Sequence, residues 1–228
     1  MDETFNWSLA CFNEPLAFDL GMRKIVVLIL VLIVGFLIGG VLVFKKGGEE
    51  KEVKIKMENL KFKVLLVVAP KNFRDEEFLE PKKLLEESGI TTEVASKGVN
   101  EAVGMFGAKT LIDKDLSEVN PGDYDAVVFI GGTGASIYFT DQTALGLAKS
   151  AYEKGKVVGA ICIAPSILAN SGILSGKNAT SFSSEEGNLK AKGANYTGET
   201  VTVDGKIVTA RGPEAAEEFG KKLVEVLQ

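Results

Sequence analysis

Between residues 62 and 162 the chain repeats one pattern. A short run of Val, Ile, Leu and Phe is followed by a stretch whose apolar residues recur at helical spacing. FKVLLVV (62–68), YDAVVFI (124–130) and VVGAIC (157–162) are such runs. A strand that is apolar at nearly every position needs cover on both faces, and helices laid on either side of a parallel sheet provide it. The amphipathic stretches predict helices over 75–88, 141–154, 165–171 and 213–227, with a further strand at 92–96. Asp204-Gly205, set between TVTV and KIVT, predicts a hairpin over 200–209. The expected fold class is therefore α/β, a doubly wound, mostly parallel sheet whose ligand site lies beyond the carboxyl ends of its strands.

Upstream, residues 25–44 read IVVLILVLIVGFLIGGVLVF, twenty residues without a charge. About 20 residues cross a ~30 Å hydrocarbon core, so this run predicts one transmembrane helix and a lipid bilayer as partner. It exceeds the apolar core of a cleaved signal. Arg23 and Lys24 precede it, and Lys45, Lys46, Lys51, Lys54, Lys56, Lys61 and Lys63 follow. That asymmetry predicts a single-pass cell-membrane protein with a cytoplasmic C-terminal domain. The alternative is a translation start at Met22, whose positive end would act as a signal anchor and turn the domain outward. Residues 1–24 carry no readable pattern; 45–61, mixing both charges, read as a solvated tether, and 62–228 as the soluble domain.

The chain has no histidine, two cysteines and a net charge of −5. It therefore lacks the commonest general base and transition-metal ligand, and no disulfide framework can be built. Its acidity and the lack of a basic, aromatic-interleaved face argue against nucleic-acid binding. No metal or cofactor is expected. Asp113, Asp115, Glu118, Asp123 and Asp125 do not have the spacing of a calcium loop and read as a solvated turn. GGTGAS lacks the third glycine of a dinucleotide fingerprint.

Three features converge on the expected ligand edge. Cys162 ends an apolar strand three residues before Pro165, the strand–turn–helix arrangement of a nucleophile elbow, with small residues Ala160 and Ala164 two positions either side. A buried structural cysteine is the equal alternative. Glu77 lies four residues before Pro81, whose ring disturbs the helix where Glu77 projects. Asp75, Glu76 and Glu77 also suit an ordinary acidic first turn, which is the stronger reading of these residues alone. Gly131-Gly132 follows the central strand, where adjacent glycines let backbone N–H groups approach an oxyanion. A helix N-terminus and amides beside a thiol predict a lowered Cys162 pKa, and a carboxyl that helps only when protonated predicts a raised one for Glu77.

The stretches KVLLVVAPKNFRDEEFLEPKKLLEESG, YDAVVFIGGTG, VVGAICIAPSIL and VDGKIVTARGPEAAEEF together resemble the PfpI/ThiJ superfamily. The resemblance spans Lys63–Leu227 and implies a flavodoxin-like, class I glutamine-amidotransferase-like fold and homo-oligomers. It implies Cys162 as nucleophile, Glu77 as its hydrogen-bond partner, and an oxyanion site at Gly131, Gly132 and the residue after the cysteine, Ile163. Where protease-like members read A-I-C-H-G, this chain has Ile163 and Ala164. Where deglycase-like members carry another histidine, it reads ATSFS, with Phe182 near that place. A Cys-His-Glu triad is therefore ruled out within this chain or between its copies. The resemblance implies glyoxalase- or deglycase-like action on reactive carbonyls. A peptidase or other hydrolase, a redox sensor and a tethered scaffold are the alternatives.

Overall fold

The computed structural model describes residues 62–228 throughout and, before them, the main chain of 42–46 and 49–53. The central sheet has seven strands: β1 (Lys63–Val67), β2 (Thr91–Ser96), β3 (Lys114–Asp115), β4 (Ala126–Phe129), β5 (Val157–Ile161), β6 (Val201–Asp204) and β7 (Ile207–Ala210). Their order across the sheet is β6-β7-β5-β4-β1-β2-β3. Every neighbouring pair is parallel except β6 and β7, the predicted Asp204-Gly205 hairpin.

Strand alternation divides the apolar runs between two cores. Leu65, Val67, Val127, Phe129, Val158 and Ala160 face one side. They pack there with residues of α2 (Gln142–Glu153), α3 (Pro165–Asn170) and α4 (Glu186–Ala191). Val64, Leu66, Ala126, Val128, Val157 and Ile161 face the other, with α1 (Asp75–Glu87) and α5 (Ala216–Leu227). Each buried Leu, Val or Phe contributes roughly 1.5–3 kcal/mol, so every position of such a strand has a reason to be apolar. A Cβ on Gly220 of α5 would lie 2.7 Å from Leu84 Cδ1 and 3.0 Å from Pro81 Cα, so α1 and α5 pack at glycine distance.

The segment predicted as a continuous helix over 213–227 begins as a 3₁₀ turn at Pro213–Ala215 before α5. GGTGAS enters a 3₁₀ helix over Thr133–Tyr138. A small sheet of Lys71–Phe73, Glu101–Gly104 and Lys109–Leu111 was not visible in the sequence pattern. Its strands have three or four residues, too few for a period to register.

The N-terminal expectations change at one point. Most of the predicted transmembrane helix, 25–41, lies outside the described residues, as do 1–24. Residues 42–44 belong to a strand, Leu42–Lys46, paired antiparallel with Glu49–Val53, so the span does not reach 44 as a helix and the tether starts as a hairpin. The backbone register runs from Leu42 opposite Val53 to Lys46 opposite Glu49, and Leu42, Val43 and Phe44 are residue types that suit a strand as readily as an apolar helix. Among the described residues no helix is long and apolar enough to cross a membrane.

Candidate active site

The site forms where β4 and β5 end. Beyond β5 the chain turns at Cys162, whose φ is +63°, a left-handed conformation that costs a non-glycine residue on the order of 1–3 kcal/mol. Three backbone bonds hold that turn. Cys162 N–H donates to Ala210 O (2.9 Å), Phe182 N–H donates to Cys162 O (2.8 Å), and Ala164 N–H donates to Ile161 O (3.0 Å). Pro165 then starts α3. Cys162 is half-buried, and the amide N–H groups of Gly132 and Ile163 face the sulfur.

Three consecutive acids open α1 and meet three different fates. Asp75 is buried and accepts from the amides of Phe106 (2.9 Å) and Ala108 (2.8 Å), tying down the loop after Gly104. Glu76 pairs with Arg74 in the exposed layer (2.8 Å). Glu77 is wholly buried, and neither carboxylate oxygen has a hydrogen-bond partner of regular geometry. Its polar neighbours are the Cys162 thiol and the Gly131 amide. Helix-dipole logic accounts for Glu76; it does not account for Glu77, which the fold drives into the interior.

The glycine pair makes this approach feasible. A Cβ on Gly131 would stand 2.5 Å from Glu77 Oε2, 2.6 Å from Cys162 Cβ and 2.7 Å from Ile161 O. Gly132 has φ +88°, and a Cβ there would stand 2.3 Å from Arg74 N and 2.6 Å from Asn72 O. Arg74 N–H donates to Gly131 O (3.1 Å), fixing the pair against the start of α1. Asn72, at φ +60°, is the other non-glycine residue with positive φ among the described residues, and its carbonyl lies against Gly132. Sequence reading missed Asn72 and Arg74. Asparagine tolerates that conformation in many ordinary turns, and an arginine before an acidic first turn looks like a surface ion pair.

Burial raises the Glu77 pKa from the ordinary 4.5 to about 8, against the opposing effects of Cys162, Arg74 and the Gly131 amide. The carboxyl therefore holds a proton near neutral pH, as expected from the sequence. The thiol does not follow its expectation. Burial first, and then the neighbouring Glu77 carboxylate, push Cys162 up to about 12, although the Gly132 and Ile163 amides pull it down. Desolvation of a charge in a site this enclosed outweighs two backbone dipoles. While Glu77 keeps its proton the like-charge part of that rise is absent, so the two groups titrate as a pair.

Among the described residues no group of His, Cys, Asp and Glu is arranged to hold a metal ion, and the acidic residues 113–125 have separate local roles. Asp113 accepts from Val94 N–H, and Asp115 from Gly98 and Ser117 N–H.

A parallel α/β sandwich with a strained cysteine at a strand–helix elbow and a buried carboxyl beside it defines a class of cysteine-centred proteins. Over residues 62–226 the chain matches the DJ-1/PfpI family, and it belongs to that family. It is 44% identical over 177 residues to an uncharacterized protein of Methanocaldococcus jannaschii, covering 76% of this chain and 86% of that one. It is 30% identical over 164 residues to a deglycase of Thermococcus kodakarensis, covering 72% of this chain and 99% of that one. Among solved structures, the ThiJ/PfpI domain protein of Brachyspira murdochii superposes with a TM-score of 0.71 at 39% identity, over 72% of this chain and 95% of that one.

Proposed function

We propose that this chain is a membrane-anchored enzyme acting on reactive carbonyl compounds, 2-oxoaldehydes or their adducts, with Cys162 as nucleophile and Glu77 as proton carrier. The observation that carries the reading is a buried carboxyl, protonated near neutral pH, beside a strained elbow thiol, in a chain without histidine. A thiol with a raised pKa offers little thiolate at pH 7, so its addition to a carbonyl needs a relay. Glu77 gives its proton to the carbonyl oxygen and takes the one that sulfur releases, while a new S–C bond forms. In the resulting hemithioacetal, loss of the C–H proton and protonation of the neighbouring carbonyl oxygen give an enediol, and protonation of that neighbouring carbon with loss of the hydroxyl proton on the sulfur-bearing carbon gives a thioester. Water then cleaves the S–acyl bond, releasing a 2-hydroxy acid and the free thiol. The Gly132 and Ile163 amides, with Gly131 beside them, would stabilise negative charge on the adding oxygen.

The similarity to a protein named a deglycase supports this reading. A peptidase would have to expel an amine without the histidine that normally protonates it. A redox sensor needs a readily formed thiolate, which the burial of Cys162 opposes. The anchor is drawn from the uncharged run 25–44 of the sequence, of which 42–44 form a strand, and the lysines that flank it, and the proposal includes homo-oligomerisation. The full-length chain should convert methylglyoxal to lactate, and Cys162→Ser and Glu77→Leu should each abolish this. Absence of turnover in the unsubstituted chain would refute the reading.

A further inference from the structure

One large apolar residue is bonded through its backbone directly to the elbow and left partly in solvent. Phe182 donates its N–H to Cys162 O, yet the residue is 44% exposed. Its backbone is held from several directions. Ser181 Oγ donates to Phe182 O (3.0 Å), Glu185 N–H donates to the same oxygen (2.9 Å), and Tyr196 Oη donates to Ser181 O (3.2 Å).

A second tie closes the turn against the elbow helix. Ser166, four residues after Cys162 and wholly buried, donates its hydroxyl to Glu185 Oε2 at 2.6 Å and accepts from Asn188 Nδ2 at 3.0 Å. The Phe182–Glu185 turn is thus clamped at one end to Cys162 and at the other to α3. Exposing an apolar ring on a backbone held this firmly has no folding benefit, because neither core includes it. Ile163, half-buried, follows the cysteine directly in sequence and is also apolar.

We infer that Phe182 is a specificity-determining wall beside Cys162, favouring electrophiles that carry an aromatic or bulky apolar group next to the reacting carbon, and that Ser166 and Glu185 are positioning residues for it. The inference deepens the carbonyl reading and shares with it the reactivity of Cys162. With its backbone bonded to Cys162, the ring needs little further ordering to meet a group held at the thiol, and such stacking is worth about a fivefold preference for an aryl substituent.

Alkylation of Cys162 in the full-length chain, followed by mass spectrometry of its peptide, tests this without requiring turnover. Phenacyl bromide is compared with iodoacetamide, and the ratio of the two rates is divided by that of a simple thiol. Phe182→Ala should lower this normalised ratio about fivefold, and Phe182→Tyr, which keeps the ring, should preserve it. Glu185→Ala should lower it, and Glu185→Gln, which keeps an acceptor for Ser166, should restore it. An unchanged ratio in Phe182→Ala overturns the wall. An unchanged ratio in Glu185→Ala, with Phe182→Ala lowered, overturns the positioning role. If methylglyoxal is not turned over but the ratio still falls in Phe182→Ala, the carbonyl reading alone fails.

Discussion

Glu77 and Cys162 meet across the missing side chain of Gly131: the Glu77 carboxylate and the Cys162 Cβ are 2.5 Å and 2.6 Å from the point a Gly131 Cβ would occupy. The acid from α1 and the thiol that follows β5 are neighbours because Gly131, two residues past the end of β4, has no side chain.

Gly131→Ala should therefore separate the pair. The added methyl meets Ile161 O and Glu77 Oε2, neither of which is the end of a flexible exposed chain, and overpacking of this kind costs about 1–3 kcal/mol. Chemical denaturation should show that loss together with a changed rate of Cys162 alkylation. A fully stable variant with unaltered labelling would mean that the close approach is unimportant.

Stability should depend on pH through Glu77. Its folded pKa of about 8 lies above the unfolded value near 4.5, so its contribution is fully present below pH 4.5 and is lost as pH rises towards 8. The steepest decline is about 1.4 kcal/mol per pH unit. Glu77→Gln should flatten the profile and stabilise the protein at pH 8. Denaturation midpoints of the two proteins from pH 5 to 9 measure this, and parallel profiles would count against a buried neutral carboxyl.

Iodoacetamide labelling of Cys162 should be slow at pH 7 and accelerate well above the ordinary thiol range, since burial and Glu77 both oppose the thiolate. Glu77→Gln removes the like charge while keeping the volume, and should shift the labelling profile to lower pH. A profile with its midpoint near 8.5 in both proteins would show that neither burial nor Glu77 governs the sulfur.

Asp75→Ala leaves the amides of Phe106 and Ala108 without their acceptor. A cost of about 1–3 kcal/mol follows, and hydrogen exchange at those two amides should speed up before exchange in β1 or β4 does.

The proposed anchor, drawn from the uncharged run 25–44 and its flanking lysines, predicts that the full-length chain remains with membranes after alkaline carbonate washing. Release into the wash would remove the anchor from the proposed function.

By itself the sequence determined the layer architecture. Runs such as FKVLLVV are apolar at successive positions, and only a sheet covered on both faces buries both sets; Leu65 and Leu66 do enter opposite cores. It also exposed the elbow, because a strand ending three residues before a helix-starting proline leaves few conformations for Cys162. Tertiary structure decided the rest. Asp75, Glu76 and Glu77 are equivalent to any rule based on helix position, and only where the fold sets the start of α1, beside Gly131 and Cys162, separates an amide anchor, a surface ion pair and a buried acid. The titration of Cys162 was decided in the same way. The helix start and the amides that lower a thiol pKa are local and readable in sequence. The desolvation and the Glu77 charge that outweigh them depend on which distant segments enclose the sulfur, and those are set by the fold.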